Sequence, residues 1–167
     1  DQIYQIQRSI SCAMVDKFAN LGVDKIPDTS ADSEKVKRPK QLTGNTGLYY
    51  VSYELAKRGW NVLITSRNAR GPDIIVYSQS GKIMHTIQVK ALSRRNPTSV
   101  GPSSSSQKNF KMSKFVIICN NVYDANPQSF IAKTNQIKIN KHGWIEPKDY
   151  EKFKDNWKII GDGLDEF

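Results

Sequence analysis

Gly71-Pro72-Asp73-Ile74-Ile75-Val76-Tyr77 and, after a short turn, Ile87-Gln88-Val89-Lys90-Ala91 are the two stretches that decide how this chain folds. Ile74 to Tyr77 is a short apolar, β-branched run. Gln79-Ser80-Gly81 is a turn, and Lys82 to Leu92 returns, so the pair reads as a hairpin. Side chains on a strand alternate between faces. Gln88 and Lys90 therefore point the same way as Thr86, while Ile83, His85, Ile87 and Val89 line the other face. An aspartate at the start of one strand, with an amide and a lysine on the next, can hold a divalent metal beside a phosphate. The same three residues also suit ordinary polar positions. His85, on the apolar face, reads as a half-core residue rather than a ligand.

The bulk composition narrows the classes. A chain of 167 residues with 38% hydrophobic content can build one core, with room for an appendage. It carries 25 basic against 16 acidic residues, a net charge of +9. That excess favours an anionic partner, nucleic acid first, although a basic surface without a partner has the same count. Cys12 and Cys119 stand far apart, which gives neither a disulfide framework nor a zinc motif. They read as reduced thiols of a cytoplasmic protein. No apolar run approaches the roughly 20 residues of a membrane span. No signal-peptide pattern is visible, and the chain begins at Asp1 rather than Met.

Outward from the hairpin, residues 1–23 form an expected amphipathic helix, with Ile3, Ile6, Ile10, Met14 and Phe18 on one stripe. Residues 24–42 read as a basic linker that includes Lys37 and Arg38. A helix is expected to open at Thr43-Gly44-Asn45-Thr46-Gly47, with Thr43, Asn45 and Thr46 as candidate N-caps. Leu48, Val51, Leu55 and Ala56 make its buried side, and Gly59 stops it. Trp60 to Thr65 follows as a strand. The polar segment Ser66 to Gly71 carries Arg67 and Arg70. Beyond Leu92, a long serine-rich loop to about Lys111 is expected, carrying Arg94, Arg95 and Lys108. Either it orders on nucleic acid or it is a spacer. Lys114 to Cys119 is an apolar run suited to a strand buried on both faces. Ser129 to Ala132 is a further strand. Tyr150, Phe153, Trp157 and Ile160 are spaced as the core stripe of a helix opened by Pro147. Residues 161–167 form an acidic tail. This order predicts an α/β fold, a sheet flanked by helices.

Four segments carry a family resemblance. They are Gly44-Asn45-Thr46-Gly47 entering a helix, Glu54-Leu55-Ala56-Lys57-Arg58-Gly59-Trp60 leaving it, Asn68-Ala69-Arg70-Gly71-Pro72-Asp73-Ile74-Ile75-Val76, and Ile87-Gln88-Val89-Lys90. Together they resemble the PD-(D/E)XK, or restriction-endonuclease-like, nuclease superfamily in a Gln-x-Lys variant. The resemblance implies a mixed central sheet flanked by helices over residues 43–160, with the N-terminal helix as an extension. It implies a metal-dependent DNA endonuclease of restriction, defence or repair type, often working as a homodimer. Asp73, Gln88 and Lys90 would be the catalytic set. Asp73, the Gln88 amide oxygen and the Val89 carbonyl would hold Mg²⁺ or Mn²⁺, and Lys90 would orient the attacking water. Lys37, Arg38, Arg67, Arg70, Arg94, Arg95 and Lys108 would contact DNA. Two positions depart from the family pattern. Gln88 stands where an acid is common, and Leu48 follows Gly47 where a glutamate is common. Glu54 is no substitute, since six residues carry it about 240° around a helix. With one carboxylate the metal should bind weakly unless DNA completes the shell. The alternative is a catalytically degenerate nuclease fold that binds DNA or a protein.

Overall fold

The computed structural model describes residues 38–66 and 70–165. The expected N-terminal helix, Lys37 and Arg67 lie outside the described residues. The element order is α1 (Lys40–Ala56), β1 (Asn61–Ile64), β2 (Ile74–Tyr77), β3 (Met84–Ala91), β4 (Thr98–Ser99), α2 (Ser104–Lys111), β5 (Phe115–Asn120), β6 (Gln128–Lys133), β7 (Trp144–Ile145) and α3 (Pro147–Tyr150).

β1, β2, β3, β5 and β6 form one five-stranded sheet in that order. The β1–β2, β2–β3 and β5–β6 pairs are antiparallel, and β3 pairs with β5 in parallel. A parallel pair needs a crossover, and here the segment holding β4 and α2 makes it. All six residues of β5 are buried, as expected for an interior strand covered on both faces. One face of the sheet packs Ile74, Val76, Ile87, Phe115, Ile117 and Ile131 against Val51 and Leu55 of α1. The other packs Val116, Ile118, Phe130 and Ala132 against Phe110 of α2, with Ile145 and Tyr150. The sheet is thus mixed, central and flanked by helices.

α1 begins three residues before the expected Thr43. Pro39 takes the N-cap position at φ −56 with no side-chain cap, and proline sets that φ without help from a hydroxyl. Thr43, Asn45 and Thr46 therefore lie inside the helix, where the Thr46 hydroxyl donates back to the Leu42 carbonyl at 2.9 Å. Ala56 is exposed rather than buried, and Gly47 takes a place on the inner face. A Cβ built on Gly47 would lie 2.3 Å from the Ala91 Cβ. Only a hydrogen side chain lets α1 approach β3 this closely.

Two expected segments differ. The serine-rich stretch after Leu92 is not one long loop: it contains β4, paired with β7, and α2. The Ser103 hydroxyl accepts from the Ser106 N–H at 3.1 Å and caps α2. The expected C-terminal helix is broken into α3 and two 3₁₀ turns, Glu151–Phe153 and Trp157–Ile159. Lys154 instead bridges to Phe130 of β6, and Asp155 adopts φ 51, so the chain leaves the helical path while Tyr150 and Ile160 still reach the core.

Candidate active site

The site forms at one end of the sheet. The C-terminal ends of the parallel strands β3 and β5 lie together there, and antiparallel β2 begins beside them. The N-terminal half of α1 reaches the same end, through Gly47 on Ala91. Within β3, Ile87 and Val89 face α1. Gln88 and Lys90 face the other way, in register with Val116 and Ile118 of β5. The alternation expected from the sequence is therefore present.

Asp73 is set by a local shift in pairing. Ile74 is the register partner of Ile87, yet the Asp73 N–H also donates to the Ile87 carbonyl, at 2.9 Å. Two residues of one strand thus stand opposite one of the other, as in a β-bulge, which re-aims a side chain. The Asp73 carboxylate turns across the end of β2. Its Oδ2 accepts from the Val89 N–H at 2.8 Å and from the Gln88 amide. β2 has ended at this level, so Val89 has no ladder partner on that side. Its carbonyl shares the side with its N–H, as strand geometry requires.

Thr65 holds the acid from behind. Its hydroxyl is 2.8 Å from the Pro72 carbonyl and 3.2 Å from that of Asp73, and its N–H donates to the Asp73 carbonyl at 3.0 Å. Sequence reading missed Thr65, because nothing in a threonine at a strand end marks a partner eight residues away. Burial raises the Asp73 carboxyl's pKa, against the pull of the Val89 N–H, the Lys90 charge and the Gln88 amide. Burial also lowers the pKa of Lys90, opposed by the Asp73 charge. Both groups are half-buried. A carboxylate and an ammonium in partial desolvation attract each other more than they would in water.

Position 48 adds no oxygen to this set. Leu48 is partly buried against the core under α1. Glu54 pairs instead with Arg58, one helical turn on. Among the described residues no group of three or more His, Cys, Asp or Glu side chains could hold a metal. The available donors are the Asp73 carboxylate, the Gln88 amide oxygen and the Val89 carbonyl. This is an all-oxygen set, which suits Mg²⁺ or Mn²⁺ in kind, with a single formal charge.

The expected DNA-contacting cations divide. Arg70, Arg94 and Lys108 are exposed. Arg70 adjoins Gly71, whose Cβ would lie 3.8 Å from Met112 Cε, so the end of α2 borders the approach to Asp73. The outer face of α2 lines an open cleft of about 490 Å³ with Ser104, Ser105, Lys108 and Lys111. Arg38 lies over the Tyr123 ring, 3.9 Å from its centroid, and remains exposed. Arg95 is also exposed, and its guanidinium pairs with Glu151 at the surface. His85 lies between Trp60 and Phe115, tilted to the first and edge-on to the second, with ring centroids 5.3 and 5.2 Å away and its Nδ1 3.2 Å from Lys114 Nζ. Burial lowers its pKa, so it serves the core as a neutral ring. A second open cleft, about 520 Å³ between Lys57, Arg58, Trp157 and Leu164, includes none of the Asp73 set.

A five-stranded mixed sheet with a parallel β3–β5 pair, flanked by helices, is the restriction-endonuclease-like fold. Among solved structures, the chain is similar to Hjc, a Holliday junction resolvase from the archaeal hyperthermophile Archaeoglobus fulgidus. The TM-score is 0.53 at 13% identity, over 71% of this chain and 100% of that one. At this identity the likeness is one of fold. No protein-family profile and no curated protein sequence matches the chain. No helix among the described residues is long and apolar enough to cross a membrane.

Proposed function

We propose that this chain is a metal-dependent DNA endonuclease of restriction, defence or repair type, which hydrolyses phosphodiester bonds where Asp73, Gln88 and Lys90 meet. The supporting observation is that the Asp73 carboxylate, the Gln88 amide, the Val89 backbone and a half-buried lysine come together at one end of the sheet. A bound Mg²⁺ or Mn²⁺ would supply the charge that stabilises the phosphorane and acidifies the attacking water. Asp73, the Gln88 amide oxygen and the Val89 carbonyl would hold it. Lys90 donates hydrogen bonds to a non-bridging phosphate oxygen or to the water. Its burial strengthens that interaction by excluding bulk solvent. Arg70, Arg94 and Lys108 track the backbone on either side, with Arg38 at the start of α1. A homodimer would bring one site to each strand, which sedimentation with and without duplex tests.

Nicking of supercoiled plasmid in Mg²⁺ or Mn²⁺ tests the reaction, with a four-way junction as a second substrate because the structural neighbour is a junction resolvase. Asp73→Ala and Lys90→Ala should each abolish cleavage. Cleavage that survives both removes these residues from the mechanism. Arg94→Ala with Lys108→Ala should reduce the salt slope of binding by about 0.9 for each phosphate no longer neutralised.

One observation favours a second reading, a fold that binds DNA without cutting it. Leu48 packs into the core where a second acid would complete the site. Tight, salt-dependent binding with no nicking in either metal would select that reading.

A further inference from the structure

We propose that Gln88 is a latch on Asp73, so that a metal ion must break a hydrogen bond of the resting site before it can be held. This rests on the nuclease reading and goes beyond it by assigning Gln88 a role before any ion arrives. An ionised carboxylate only accepts hydrogen bonds, so the group Gln88 turns toward it must be its NH₂. The contact runs from Gln88 Nε2 to Asp73 Oδ2. The same oxygen takes the Val89 N–H at 2.8 Å. The resting carboxylate is thus served by two donors of its own chain, with Lys90 supplying the opposite charge. For Gln88 to offer its amide oxygen to an ion shared with Asp73, the amide must turn over and give up its bond to Asp73. A glutamate in this place could donate only when protonated. Ionised, it would repel Asp73 in the empty site and add a second charge for a cation. Gln88 therefore exchanges affinity for the free ion against a resting site that is stable without one.

Calorimetry of Mn²⁺ with the DNA-free chain tests this, alongside thermal melting without metal. Gln88→Glu should bind Mn²⁺ about tenfold more tightly or better, since ligand charge sets the affinity of such sites. It should melt below wild type without metal and recover more on adding Mn²⁺. Gln88→Met keeps the length but cannot donate, so it should also melt below wild type, with no gain in Mn²⁺ affinity. Equal Mn²⁺ affinity of wild type and Gln88→Glu overturns the proposal, as does an unchanged melting temperature in Gln88→Met. Should the glutamate variant not fold, NMR of the wild type decides. The Gln88 side-chain NH₂ should be protected from exchange in the metal-free chain, and free exchange overturns the latch. Cleavage is read separately. Tighter Mn²⁺ binding by Gln88→Glu in a chain that cuts nothing supports the latch and removes the nuclease reading.

Discussion

The approach of α1 to β3 makes a prediction in which two ordinary effects oppose each other. Gly44 and Gly47 both lie inside α1. Alanine in a helix interior is favoured over glycine by about 0.5–1 kcal/mol. At Gly44 an added Cβ meets nothing within 4 Å, so Gly44→Ala should stabilise the chain by about that amount. At Gly47 the same Cβ falls 2.3 Å from the Ala91 Cβ, 3.4 Å from the Ala91 Cα and 3.5 Å from Val122 Cγ1. Carbon atoms rest at about 3.5–4.0 Å, so α1 must withdraw by roughly 1 Å or more. Such overpacking costs about 1–3 kcal/mol, which cancels or outweighs the propensity gain and leaves a net loss of up to about 2 kcal/mol. Ala91→Gly removes the opposing methyl at a cost of about 0.5–1 kcal/mol in the strand. The double variant should then be more stable than the two single changes predict, with a coupling of about 1–2 kcal/mol. Urea unfolding midpoints at constant slope measure each term. Ala91 follows Lys90 on β3, so on the proposed function Gly47→Ala should also weaken DNA binding, and Ala91→Gly should restore it. A Gly47→Ala chain stabilised as much as Gly44→Ala would refute the close approach.

Three further outcomes are expected. Burial raises the Asp73 pKa, so the folded chain holds this proton more firmly than the unfolded chain, and Asp73 costs stability as pH rises through its folded value. Melting temperatures of Asp73→Asn and wild type should therefore diverge in favour of the variant as pH rises above the usual carboxyl value of roughly 4. A gap that closes over this rise contradicts the assignment. Burial pushes the Cys119 thiol up to about 12, so mass spectrometry after iodoacetamide at pH 8 should find Cys119 unmodified until the chain is denatured. The buried Tyr150 hydroxyl takes the Asn120 amide at 3.1 Å and donates to the Asn96 carbonyl at 3.2 Å. Tyr150→Phe should cost about 1–3 kcal/mol in chemical denaturation, because it strands the Asn120 amide.

Those parts of the fold that burial alone decides were legible in the sequence. Five of the six buried residues of β5, Phe115 to Cys119, read as an apolar run because that strand lies inside the sheet with both faces covered. Alternation along β3 put Gln88 and Lys90 on one face, since strand geometry leaves no other arrangement. The segment after Leu92 misled because serine is common in loops, while the Ser103 cap and one buried Phe110 suffice to fix an eight-residue helix. Tyr150, Phe153, Trp157 and Ile160 have helical spacing, but spacing reports which residues turn inward and not the path between them. Here Asp155 at φ 51 redirects that path. Arg95 gave no sign that its charge is used, because its partner Glu151 lies 56 residues on.

The same distinction explains why the shared face of Gln88 and Lys90 was legible and their contacts with Asp73 were not. Alternation places Gln88 and Lys90 on one face, and the family resemblance singles out Asp73 beside them. Their mutual geometry depends on pairing between β2 and β3 that is one residue out of step at Asp73, and no residue type announces such a shift. That shift carries the carboxylate onto the Val89 N–H, beyond the end of β2, and within reach of the Gln88 amide. Asp73 is then a satisfied acceptor beside a half-buried ammonium, rather than an open ligand. On the proposed function, a lone cation would meet the Lys90 charge and an occupied oxygen, whereas a phosphate would be drawn by Lys90 and bring the negative charge that the second acid would have supplied. Cation and anion would then be favoured together, and reciprocity requires that each raise the other's affinity by the same factor. On the proposed function, the Leu48 and Gln88 departures would shift part of the site's charge from the chain to the substrate.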